Sequence, residues 1–205
     1  MNLKQLIKAF LTLILLFNVV SCATSPPKNL DNICSIFKEK RRWYKHAKRS
    51  AKQWKSEIPI MMAFMHQESR FKRKAKPPRK KILWVIPGPR LSDAYGYAQA
   101  KKDTWRWYRR SSGNGSADRD DFKDAVDFVA WYNFQSAKRN KIRSNDAYNL
   151  YLAYHEGHGG YTRGTYRKKA WLKGVASKVD QRAKRYQQQL QGCEKSLNKK
   201  RWLFF

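Results

Sequence analysis

From Ile58 to Phe71 the chain reads I-P-I-M-M-A-F-M-H-Q-E-S-R-F, and its apolar positions recur at helical spacing. Pro59 suits the first turn of a helix, and Met61, Phe64, Met65 and Glu68 then fall at i, i+3, i+4 and i+7 on one face. A carboxylate is thereby placed on an apolar stripe near the negative end of the helix. Both settings disfavour ionisation and raise a carboxyl pKa. The alternative is a helix-end glutamate that turns out to water or pairs with Arg70 or Lys72.

The remaining periodicity predicts further helices around one loop. Ile36 to Trp54 carries Trp43, His46 and Ala47 at helical spacing on an otherwise basic segment. Lys72 to Leu91 begins with cations that resist burial, passes through the short apolar run I-L-W-V-I, and closes on Pro87-Gly88-Pro89, so it reads as a long loop or small hairpin. Asp103 is placed to cap a short helix with Trp105, Trp107 and Tyr108. Asp118 to Asn140 predicts a strong helix, acidic at its start and basic at its end, with Phe122, Val126, Val129 and Asn133 in period. Ser144 or Asn145 caps a further helix with the stripe Ala147, Leu150, Tyr151 and Tyr154, which Gly157, Gly159 and Gly160 should end. A last basic helix runs from about Arg167 to Leu190. The fold expected is mainly α.

The N-terminus changes the picture. Lys4 and Lys8, the apolar run Phe10 to Val20, and Val19-Val20-Ser21 before Cys22 make residues 1–21 read as a signal peptide whose end resembles a bacterial lipobox. Cys22 is then the lipidation site and residues 22–32 a tether. This implies an anchored protein on the periplasmic face of a bacterial membrane, with Ala23 pointing to the outer one. Residues 33–192 are the size of one domain, and residues 193–205 form a basic, aromatic tail. Cys34 and Cys193 flank the domain and are a candidate disulfide in an oxidising compartment. The chain holds 45 Lys and Arg against 15 Asp and Glu, a net charge of +30, which suits anionic envelope polymers; export argues against nucleic acid as a physiological partner.

Three short stretches occur in order: Gln67-Glu68-Ser69 at a helix end, Ser92-Asp-Ala-Tyr-Gly-Tyr-Ala-Gln99 after the loop, and Ala153-Tyr-His-Glu-Gly157 at another helix end. Together they resemble the lytic transglycosylases of the soluble lytic transglycosylase type, whose catalytic domain is goose-type-lysozyme-like. The second stretch keeps that family's serine, glycine and glutamine without its leucine and methionine. In the third, His155 stands for its asparagine and Glu156 for its alanine.

The resemblance implies a lysozyme-like helical domain that cleaves the β-1,4 bond between N-acetylmuramic acid and N-acetylglucosamine in peptidoglycan glycan strands. It makes Glu68 the single acid and base and the product a 1,6-anhydro-muropeptide. Ser69, Ser92, Gly96, Gln99, Tyr154 and His155 are then expected to line the cleft, with Gly96 admitting close approach of backbone to sugar and Tyr154 hydrogen-bonding near Glu68. Tyr95, Tyr97, Tyr161 and Trp84 are candidates to stack on sugar rings. Most glycosidases use two carboxylates, so Asp93 or Glu156 across the cleft would instead favour a hydrolytic muramidase. A non-catalytic basic lipoprotein is the other alternative. No cofactor is expected: the histidines of His155-Glu156-Gly157-His158 are three apart, where the zinc-protease pattern needs four.

Overall fold

A computed structural model describes residues 25–82 and 86–198. The leader of residues 1–21, Cys22, Trp84 and residues 199–205 lie outside the described residues. In chain order the elements are α1 (Ile33–Glu39), α2 (Arg41–Trp54), α3 (Ile58–Ser69), β1 (Arg79–Ile82), β2 (Ile86–Arg90), α4 (Lys102–Ser112), α5 (Phe122–Asn140), α6 (Ala147–Thr162), a 3-10 turn (Thr165–Lys168) and α7 (Ala170–Asn198).

The bundle is assembled on α3. Every residue from Ile58 to His66 is buried, so this helix is apolar all round rather than along one stripe. It packs on α7, α5 and α2. Pro59 opens it, and Arg70 and Phe71 both adopt left-handed backbone angles that stop it. The Arg70 N–H donates to the His66 carbonyl at 2.9 Å, and the fully buried Phe71 ring packs 5.7 Å from Trp43. The sharp stop leaves Glu68 one residue before the helix end.

Side-chain oxygens set the starts of three helices. Asn32 accepts from Ser35 N–H, Asp121 from Lys123 N–H, and Asp146 from Asn149 N–H. These caps correct several expected boundaries. The single helix expected over residues 36–54 is two, broken at Lys40. Asp103 lies inside the first turn of α4 and pairs with Arg106 instead of capping. The helix expected from Asp118 starts at Phe122, because the Asp121 carboxylate offers a better cap, while the Asp118 N–H donates back to Asp124 at 3.0 Å. Asp146, not Ser144 or Asn145, caps α6. Gly157, with φ 74° and ψ 159°, does end the helical segment that carries Tyr151 and Tyr154, but Gly159 and Gly160 end nothing: a further helical stretch follows the kink directly and runs on to Thr162.

The segment between α3 and the second motif contains an antiparallel pair, with Arg79 opposite Arg90 and Ile82 opposite Ile86. Arg79, Lys80, Lys81 and Arg90 are exposed, as their charge requires. Helix α7 runs past Leu190 to Asn198, so Cys193 is helical rather than part of a tail. Its sulfur is bonded to Cys34 at 2.04 Å, closing a loop of 159 residues. Residues 30–33 are docked on the same helix. Tyr186 Oη donates to the Leu30 carbonyl, Gln189 bonds Asp31 and Ile33, and Arg182 pairs with Asp31 at 2.6 Å.

A cross-link between chain ends removes much of the unfolded chain's freedom, typically about 2–5 kcal/mol in a domain of this kind. Replacing both cysteines by serine is expected to lower the melting temperature by about 5–15 °C, and wild type in reductant should melt with the double variant.

Candidate active site

Glu68 meets α6 across the bundle. Tyr151 Oη donates to Glu68 Oε1 at 2.9 Å, and the Phe64 ring, one turn back on α3, packs edge-on against Tyr151 and Tyr154. The carboxyl is partly buried, and its open side lines a cavity of about 310 Å³. Gln99, Ala100, Lys101 and Thr104 form one wall, Phe128 and Tyr132 from α5 another, and Tyr154 to Gly157 the third. Burial raises the Glu68 pKa to about 7, against the opposing effect of the Tyr151 hydrogen bond. The helix C-terminus acts in the same direction as burial. The carboxyl therefore holds its proton near neutral pH and has access to a cavity where it can be given up.

Tyr154 does not bond Glu68 as expected. Its hydroxyl donates to the Ala98 carbonyl at 2.6 Å, which fastens the second motif to α6. Tyr151 takes the expected role. It sits one turn before Tyr154 on the same apolar stripe, and that spacing was the available signal. Phe128, Tyr132 and Thr104 carried none, since they belong to the cavity only through tertiary packing.

The second motif is mostly scaffold. Gln99, at φ 47°, donates from its amide nitrogen to the Ala75 and Gly96 carbonyls at 3.0 and 2.9 Å. Its amide oxygen has no partner among the described residues, and Gln99 lines the cavity. Gly96 has φ 79°, and a Cβ there would lie 2.0 Å from the Arg119 carbonyl oxygen. Its glycine is demanded by protein backbone, not by approach to sugar. Tyr97 is buried between Trp43 and Phe122 and so is not a stacking surface. Tyr95 lies outside the cavity, between Lys76 and Arg119 with its hydroxyl toward Asp120. Ser69 is buried and returns its hydroxyl to the Met65 carbonyl, while Ser92 accepts from Ala94 N–H. Neither lines the cavity. Tyr161 stacks on Tyr166 and donates to Asn149, which removes it from the cleft as well.

The third motif supplies a rim and a brace. Gly157 has φ 74° and ψ 159°, outside helical values, so the backbone opens at the cavity edge. His155 is exposed on that edge. Glu156 is the second acid of the cavity, yet its side chain is only 4 % exposed. Burial pushes its pKa up, but hydrogen bonds from Lys169, Thr165 and His155 outweigh this and bring it to about 2. Lys169 Nζ reaches both of its oxygens, at 2.8 and 2.9 Å. Asp93 is exposed and accepts from Lys102 N–H, away from the lining. His158 turns inward, bonded to Ser136 and stacked on Tyr132. Among the described residues no group of three or more His, Cys, Asp or Glu is placed to hold a metal ion.

A family model for the transglycosylase SLT domain matches residues 10–193. No curated protein and no solved structure matches the chain at significance.

The buried carboxyl has a consequence for stability that does not depend on activity. Folded Glu68 titrates at about 7 and an ordinary glutamate at 4.5, so between these values the folded chain binds more protons than the unfolded one. The stabilisation is full below pH 4.5 and is lost as pH rises to about 7, amounting to about 3 kcal/mol. Glu68→Gln escapes that loss. Urea unfolding is expected to show the variant gaining on wild type by up to about 3 kcal/mol from pH 4 to pH 8; a difference that stays flat with pH would mean an ordinary carboxyl.

Proposed function

Because the chain belongs to the transglycosylase SLT domain family, and so is a lytic transglycosylase acting on the glycosidic bonds of peptidoglycan, we propose that Glu68 alone performs both proton transfers of the reaction. Protonated Glu68 delivers its proton to the glycosidic oxygen between N-acetylmuramic acid and N-acetylglucosamine. The C1–O bond breaks as the substrate's own N-acetyl oxygen closes on C1. Glu68, now a carboxylate accepting from Tyr151, takes the proton of the muramoyl C6 hydroxyl while that oxygen attacks C1 and expels the acetamido oxygen. The product is a 1,6-anhydro-muropeptide, and no water is consumed.

The observation that carries this reading is the unequal state of the two carboxylates in one cavity. Glu68 is free to exchange a proton near neutral pH, while Glu156 is held ionised by Lys169. Most hydrolytic glycosidases use a second carboxylate free to activate water or to attack. Glu156 is committed to the brace. We place Gln99 and His155 against the sugars, as polar groups on the cavity wall. We further propose that Cys22 carries the lipid anchor and that the mature enzyme works on the periplasmic face of a bacterial membrane. There its charge, +28 once Lys4 and Lys8 leave with the leader (43 Lys and Arg against 15 Asp and Glu), holds it near anionic wall and envelope polymers.

Digestion of purified peptidoglycan read by mass spectrometry tests the chemistry. Wild type is expected to release anhydro-muropeptides and Glu68→Gln to be slower by about 10²–10⁴-fold. Reducing-end products would instead establish hydrolysis, and equal activity of the two proteins would remove Glu68 from the reaction. As a general acid, Glu68 is active below its pKa, so the rate should fall as pH rises through about 7. Tyr151→Phe deletes the hydrogen bond that lowers this pKa, and the alkaline limb of its pH–rate profile is expected to move to higher pH.

A further inference from the structure

Trp171 is one of two large hydrophobic side chains exposed among the described residues, at 59 %; the other is Leu91. Trp43, Trp105 and Trp131 are buried in the core, and Trp54 and Trp107 pack against Phe134 and Trp131. Trp171 alone of the described tryptophans gives most of its surface to solvent, at the cost of a large apolar area left in water. Its position follows the cavity. The indole centroid lies 5.2 Å from that of His155, which is on the cavity rim.

The mounting is rigid. Trp171 stands in the first turn of α7, between Lys169, whose ammonium clamps Glu156, and Leu172, which is fully buried. Leu172 and Lys173 N–H groups donate to the Lys169 carbonyl at 3.0 and 3.1 Å, so the turn carrying the indole is tied to the same lysine that braces the cavity wall. An aromatic plane fixed beside a polar cleft, wet on its open side, fits a partner with one apolar face and a hydroxylated rim. A pyranose ring has that form. An acidic peptide stem would seek charge, which the indole does not offer.

Resting on the transglycosylase reading, we propose that Trp171, with His155, forms a sugar subsite continuing the catalytic cavity, where a ring of the glycan strand distant from the scissile bond stacks on the indole. The subsite lengthens the stretch of strand the enzyme grips. Its contribution is to binding of long substrate, and the chemical step at Glu68 is unaffected.

The test uses Glu68→Gln protein, which should bind without cutting, and peptide-free glycan strands as the probe. Titration calorimetry is run at high ionic strength, so that the cationic surface is screened. Adding Trp171→Ala is expected to weaken binding about tenfold, equivalent to about 1.4 kcal/mol, and adding Trp171→Phe to restore affinity to within about threefold of the parent by keeping an aromatic plane. In the active background Trp171→Ala should raise KM for long strands about tenfold and leave kcat unchanged. Undiminished affinity in the alanine variant, or equal loss in the alanine and phenylalanine variants, overturns the subsite alone. A Glu68→Gln parent with no affinity for the strands overturns the transglycosylase reading and the subsite with it.

Discussion

The structure depends on the enclosure of a single helix. With Ile58 to His66 shielded on every side, α3 delivers its last turn from inside the core; there Gln67 points to solvent, while Glu68 lies on the face turned toward Tyr151 and the cavity. A carboxyl on that face must either find a cation or keep its proton. The cations nearest in sequence, Arg70 and Lys72, are exposed, and no salt bridge to Glu68 occurs among the described residues. Tyr151 offers only a hydroxyl, which orients the group and moderates its pKa without neutralising it. Packing, helix termination and acid strength are therefore one arrangement, and loosening α3 would release all three.

Opposite this acid the cavity sets a second carboxylate in the contrary state. The Glu156 side chain is also almost wholly enclosed, but it is surrounded by donors, and those donors win over desolvation. Its work is mechanical. Through Lys169 and Thr165 it joins the bend at Gly157 to the start of α7, so the far wall of the cavity is fixed to the longest helix of the bundle. The same helix receives the N-terminal segment and the disulfide, so it ties both ends of the domain to the cavity wall.

Much of this was legible in the residues. Glu68 could be found because helical periodicity put an acid among Met61, Phe64 and Met65, and because two later motifs supplied its company. The paired ends of the chain were legible from Cys34 and Cys193. What was not legible depended on contacts between distant segments. The need for glycine at 96 comes from the Arg119 carbonyl, more than twenty residues later in the chain. Tyr97 and Tyr161 looked like cleft aromatics because loops usually expose such rings, yet Trp43 and Phe122 cover the first and Tyr166 the second. The exchange of roles between Tyr151 and Tyr154 is finer still. Both lie on the stripe facing α3, and only the rotation of α6 decides which hydroxyl meets the acid and which meets the Ala98 carbonyl.

The central claim is that the protein fold, without substrate, keeps Glu68 protonated at neutral pH. The direct measurement is a carbon NMR titration of glutamate carboxyl groups in the substrate-free protein, with the Glu68 resonance assigned by its absence in Glu68→Gln. A midpoint near pH 7 is the predicted result. A midpoint at the ordinary glutamate value of 4.5 would contradict the account, because the acid would then be ionised before any glycan strand arrived.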